Sequence, residues 1–209
     1  MKHEGKYHFS HEHIMIPIEL DEDDEVKCNA CEQLLTEPFI GCPPCQFFLH
    51  ENCFHVPRSM DHPSHPSHPL TLDPTPPHPY TCNACGSHGK AFGFGCGAHC
   101  EFHLHLRCAI LPETFSYDDE HPHGLELVFE PPSFKNLGTS DDSQLVKIPC
   151  YICNENQVSW LYYCEACEYV AHLKCLLSKY EEMESYVVSD YSSDQEDDDY
   201  DDIIQNLRI

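Results

Sequence analysis

Cys28-Asn29-Ala30-Cys31, then Cys42-Pro43-Pro44-Cys45 after ten intervening residues, His50 after four more and Cys53 after two: this stretch decides how the chain is read. The same order returns at Cys82, Cys85, Cys96, Cys100, His105 and Cys108, and again at Cys150, Cys153, Cys164, Cys167, His172 and Cys175. All 15 cysteines are used, five per copy. Ten residues separate the second and third cysteine in every copy, and each copy closes on His-x2-Cys. Self-similarity of this kind marks an array of small units, so the repeat takes precedence over any local reading.

The 209 residues divide into three units of about 55 residues and a tail. Units of that size bury too little apolar surface to fold on a hydrophobic core, and they rely on disulfides or metal. The first ten residues, Met-Lys-His-Glu-Gly-Lys-Tyr-His-Phe-Ser, lack the apolar core of a secretory signal, and the cysteine count is odd. Reduced, metal-bound cysteines in an intracellular protein of the cytoplasm or nucleus are therefore expected. No stretch approaches the apolar length of a membrane span. The net charge of −25, from 36 acidic and 11 basic residues, repels phosphate backbones and anionic lipid surfaces, so nucleic acid is not an expected partner.

A histidine-bearing opening precedes each cysteine block: His11-Glu-His13, His62-Pro-Ser-His65-Pro-Ser-His68, and His121-Pro-His123. Alternating apolar residues follow each one, as in a short half-buried strand, and proline excludes helix from the junctions. The expected units are residues 8–62, 63–121 and 122–182, the third with an inserted loop over 131–143. The acidic run from Asp194 places 183–209 as a disordered tail, in which Ser192 and Ser193 offer a phosphorylation context.

Zinc takes four Cys or His donors in a tetrahedron, and Cys-x2-Cys supplies two from one tight turn. Six donors per block complete one site and half of another. The economical arrangement joins the first pair to His-x2-Cys and the second pair to histidines of the junctions. Unit one then holds Cys28, Cys31, His50 and Cys53, with Cys42, Cys45, His13 and His62 as its other site. Unit two holds Cys82, Cys85, His105 and Cys108, with Cys96, Cys100, His68 and His121. Unit three holds Cys150, Cys153, His172 and Cys175, and its Cys164, Cys167 and His123 need a fourth ligand, for which Glu184, His121, water or a vacancy are the alternatives. Three residues rather than two separate Cys96 from Cys100, which brings in His99 as a substitute donor. Five to six zinc ions are expected. His65, His78, His88 and His103 read as exposed or supporting residues. Phe47 with Leu49, Phe102 with Leu104, and Tyr169 with Ala171 flank the closing histidines at matched places and read as strand residues of each small core.

This order of donors resembles the C1 zinc-finger family. The opening His68-Pro-Leu-Thr-Leu and the Cys-x-Phe-x-Leu-His elements at Cys45–His50 and Cys100–His105 resemble more closely the divergent C1 (DC1) domains of plant cysteine/histidine-rich proteins. The resemblance covers residues 8 to about 180. It implies two interleaved zinc sites per unit, on small β-sheets with a short helix each, in signalling or stress-response adaptors. The loop Glu32–Gly41 does not reproduce the framework of diacylglycerol-binding C1 domains, and basic flanks are absent. The Cys-x2-Cys that closes a PHD finger is missing from every unit.

The expected function is a non-catalytic, zinc-stabilised protein-interaction or signalling adaptor, a monomer with an unidentified protein partner. The alternatives are thiol-disulfide exchange through the Cys-x2-Cys pairs, although no βαβ pattern surrounds them, and diacylglycerol or other lipid sensing.

Overall fold

A computed structural model describes residues 5–19, 25–35, 39–98, 100–117, 121–130, 134–135, 145–146, 149–156 and 159–178. The acidic tail, Glu184, Ser192, Ser193, His99 and most of the inserted loop lie outside the described residues.

Each copy of the repeat builds a four-stranded antiparallel sheet. In the first, β1 (Lys6–His8), β2 (His11–Ile18), β3 (Phe39–Cys42) and β4 (Phe47–His50) pair in that order, and one helical turn, α1 (Glu51–Phe54), carries Cys53. The second uses β5 (Ser59–Met60), β6 (Leu70–Asp73), β9 (Gly93–Cys96) and β10 (His103–His105), with α2 (Leu106–Ala109) after them. A small hairpin of β7 (Tyr80–Thr81) and β8 (His88–Gly89) frames its first cysteine pair. The third sheet consists of β11 (Thr114–Tyr117), β12 (His121–Val128), β15 (Leu161–Cys164) and β16 (Tyr169–His172), and a helical turn over 173–178 follows. Its insertion contributes a separate pair, β13 (Phe134–Lys135) with β14 (Leu145–Val146). These are small β-rich units with single helical turns, as the resemblance implies. The second sheet begins at Ser59 and the third at Thr114, ahead of the boundaries expected at 63 and 122.

Strand alternation decides which side chains enter the cores. In β6 Leu70 and Leu72 are buried while Thr71 and Asp73 are exposed, the period of two of a half-buried strand. The central residues of the three cores occupy matched positions: Met15, Ile40 and Leu49; Leu70, Phe94 and Leu104; Leu125, Tyr162 and Ala171. Where the third repeat has the small Ala171, it faces the large Tyr162 across the pair β15–β16, which keeps the filled volume similar. The Tyr162 hydroxyl donates to the Pro112 carbonyl at 2.8 Å, so the larger ring brings no unsatisfied polar group with it.

The residue after each first Cys-x2-Cys is left-handed: Glu32 (φ 63°), Gly86 (φ 72°) and Asn154 (φ 58°). Glu32 N–H donates to the Cys28 carbonyl at 2.9 Å and Asn154 N–H to the Cys150 carbonyl at 2.7 Å. This reversal aims both thiols of the pair to one side. Glycine meets it without steric cost at position 86, and the other two copies accept the strain.

The described residues group into two compact units. The first and second repeats form one, and the third repeat together with Asn83–Gly86 forms the other. Within the first unit, Phe92 packs near His8 and Phe9, Arg58 lies over the Phe9 ring at 4.4 Å, and Lys90 pairs with Glu32 at 3.7 Å. Within the second, Trp160 N–H donates to the Ala84 carbonyl at 3.0 Å.

Candidate metal centres

The sheets bring the donors of each block to two places. At the inner centre, the tight turn of the first cysteine pair meets the end of the closing strand and the helical turn after it. Cys28, Cys31, His50 and Cys53 converge there with donor atoms within 4.8 Å of one another, as do Cys82, Cys85, His105 and Cys108. In the third repeat Cys153 and Cys175 lie 3.4 and 3.9 Å from His172 Nδ1, and the Cys150 thiol accepts the His172 backbone N–H at 3.4 Å. The Cys82 thiol accepts the His105 backbone N–H in the same way. His50 Nε2–H donates to the Leu34 carbonyl at 2.9 Å, which fixes its tautomer and leaves Nδ1 as the donor toward the thiols.

The outer centre joins the second cysteine pair to the opening strand or, in the second repeat, to the turns just before β6. The structure gathers His11, His13, Cys42 and Cys45; His65, His68, Cys96 and Cys100; and His121, His123, Cys164 and Cys167. His13, His68 and His123 approach through Nδ1, at 3.2, 3.4 and 3.1 Å from the thiols of Cys45, Cys100 and Cys167. His11, His65 and His121 each keep a buried Nε2 with no hydrogen-bond partner. The same three rings rest on Phe47, Phe102 and Tyr169 at centroid distances of 4.7, 4.6 and 4.7 Å. Phe47 and Phe102, read as core residues, are only half-buried and back the ligand histidines, while Tyr169 is buried in the core and backs His121 as well. His121 Nδ1–H donates to the His123 carbonyl at 2.8 Å, which orients its ring and leaves Nε2 to the site.

Two of the expected ligands are placed differently. His62 is not gathered with Cys42 and Cys45, whose set is completed by His11. His62 is buried beside the second repeat instead. Its Nδ1 accepts from the Ser64 hydroxyl and backbone N–H at 2.7 and 3.2 Å, and its ring faces the Ala109 backbone. His8 repeats this arrangement with Ser10, at 2.6 and 3.3 Å, facing the backbone of Phe54. Burial holds both histidines below their ordinary range. His121 serves the third repeat rather than Cys96 and Cys100, whose set is completed by His65. Each opening thus supplies two ligands to its own repeat. A sequence signal for this existed, because His-x-His in an extended strand puts both rings on one face. That pattern stands at His11–His13 and His121–His123, and His65–His68 is one residue longer.

The donor sets fit a tetrahedral cation. With Zn–S near 2.3 Å and Zn–N near 2.0–2.1 Å, donors on one tetrahedron lie about 3.3–3.8 Å apart. The S···N separations of 3.1–3.9 Å bracket that range. Crowded thiols without a cation also conflict electrostatically. Hydrogen bonds from Cys31 and Cys53 hold the Cys28 thiol far below its ordinary range, while Cys28 and Cys31 push Cys53 well above its own. Burial disfavours a charged His50, but the thiolate character of Cys28 and Cys31 outweighs it and raises the ring to about 10. Burial, with Cys153 close by, pushes the Cys175 thiol up to about 12. A divalent cation removes this conflict by stabilising every thiolate at once. All 15 cysteines are free of disulfides.

The sequence model of the C1 domain family matches residues 9–54 and 63–109. Each match spans one opening histidine pair and one whole cysteine block, hence one inner and one outer centre. C1 domains bind zinc and typically serve as regulatory binding modules. No curated protein and no solved structure matches the chain.

Proposed function

From the two matches to the C1 domain family we propose that the chain is a non-catalytic interaction module of three C1-type fingers holding six zinc ions, two per repeat. The third finger is the stretch from Thr114 to Ser178. It lies outside the family matches, and its donors repeat the geometry of the matched repeats. The observation that carries the reading is closure. Each donor set is filled by four protein side chains, as in structural zinc sites, whereas catalytic zinc keeps a position for water. Every Cys-x2-Cys pair is engaged in such a set, which leaves no free thiolate pair for disulfide exchange. The acidic chain, with its net charge of −25, selects basic protein surfaces over nucleic acid or anionic lipid in a reducing cytoplasm or nucleus.

Native mass spectrometry of the full chain tests this reading, with six zinc ions as the expected count. No zinc would overturn it, and four would remove the third finger from the scheme. An insulin-reduction assay on the zinc-loaded chain is expected to show no turnover, and sustained turnover would replace the module with an oxidoreductase.

A further inference from the structure

The six donor sets differ in how far solvent reaches them. In the inner centres of the first and second repeats no ligand is exposed, and Cys28, Cys53, Cys82 and Cys108 are buried. The outer centre of the second repeat has His65, His68 and Cys100 only half-buried. The inner centre of the third repeat has one exposed donor, Cys153, beside the buried Cys150 and His172. Two sets stand apart. The outer centre of the first repeat exposes both His13 and Cys45, and that of the third exposes both His123 and Cys167. In each the exposed donors are neighbours, 3.2 and 3.1 Å apart, so one whole edge of the tetrahedron faces water. The opposite edge is anchored, by Cys42 with His11 against Phe47, and by Cys164 with His121 against Tyr169.

We propose that these two outer centres are exchange sites, through which the protein gives zinc to, and takes it from, soluble thiolate or aminocarboxylate acceptors, while the other four centres hold zinc permanently. The inference rests on the zinc reading above and adds a metal-exchange function to it. Associative exchange needs an incoming ligand to reach the ion before a resident one leaves, and only an exposed edge allows that. An incoming thiol loses its proton as its sulfur coordinates. Cys45 or Cys167 departs and takes up a proton, so charge balances with no change of oxidation state. The anchored donors keep the vacated site shaped for reloading.

The test uses the zinc-loaded full chain, an excess of a pyridylazo chromophoric chelator and pulsed alkylation of the released thiols with peptide mapping. The expected result is a fast release of two zinc ions per chain ahead of the other four. Alkylation in the fast phase should fall on Cys42, Cys45, Cys164 and Cys167. The variant Cys45→Ser with Cys167→Ser should lose the fast phase and keep the slow one. Release of all zinc in one phase, or first alkylation at Cys28, Cys82 or Cys96, would overturn the proposal and leave the zinc reading standing. A chain that arrives without zinc fails the earlier reading instead.

Discussion

In the second repeat the first cysteine pair encloses Asn83 and Ala84, with Ala84 fully buried; in the third the same places hold Tyr151, 75 % exposed, and Ile152, 37 % exposed. The second repeat also carries His62 and Ser64 as a buried polar latch ahead of its ligand pair, where the third has Asp118 and Glu120. Its core pairs Phe94 with Leu104, and the third pairs Tyr162 with Ala171. Yet both repeats form the same strand order and bring the same donor types together. The difference teaches that the metal donors specify this fold and that the packing around them is replaceable. In units of about 55 residues the metal supplies more folding free energy than the core can.

Zinc removal tests that lesson most severely. Structural zinc contributes on the order of 10 kcal/mol per site, so a strong chelator in excess should abolish the tertiary structure of both repeats, followed by loss of amide dispersion in NMR spectra and restored by adding zinc. A third repeat that stayed folded without metal would break the comparison, because its core would then be the determinant.

Core substitutions come next in size. Leu104→Ala leaves a cavity opposite Phe94 and should cost about 2–5 kcal/mol in chemical denaturation of the zinc-loaded chain. The reciprocal Ala171→Leu crowds Tyr162 and should cost about 1–3 kcal/mol. If Ala171→Leu stabilised the chain, the compensation between Tyr162 and Ala171 would be refuted.

The smallest effect separates the latch from the ligands. His62→Ala removes buried hydrogen bonds and should cost about 1–3 kcal/mol with the zinc count unchanged. His65→Ala, three residues on, should lose one zinc ion. A zinc loss on His62→Ala would restore His62 as a ligand.

Much of the candidate site was legible in the residues. The repeated order of cysteines named every sulfur donor, and His50, His105 and His172 followed from their place in a closing His-x2-Cys. His13, His68 and His123 could be read from their position just ahead of alternating apolar residues. His11 was open to the His-x-His signal as the partner of His13, whereas His65 was not, because the Pro- and His-rich second opening offers several rings at similar distance along the chain and none at that spacing from His68. Only the path of the backbone ranks them. Counting forward for a terminal ligand drew in His62 and His121, whereas the second ring comes from the same opening as the first.

The order of residues alone marks a repeated array of Cys/His donor sets, because a donor set is a discrete chemical pattern that is visible before any folding is known. Only the folded chain decides that His65 closes the second outer centre, and which centres face water. Both depend on antiparallel register. The pairing of β2, β6 and β12 against their central strands sets which residues stand over the second cysteine pair. It also leaves His13 with Cys45, and His123 with Cys167, on the open side.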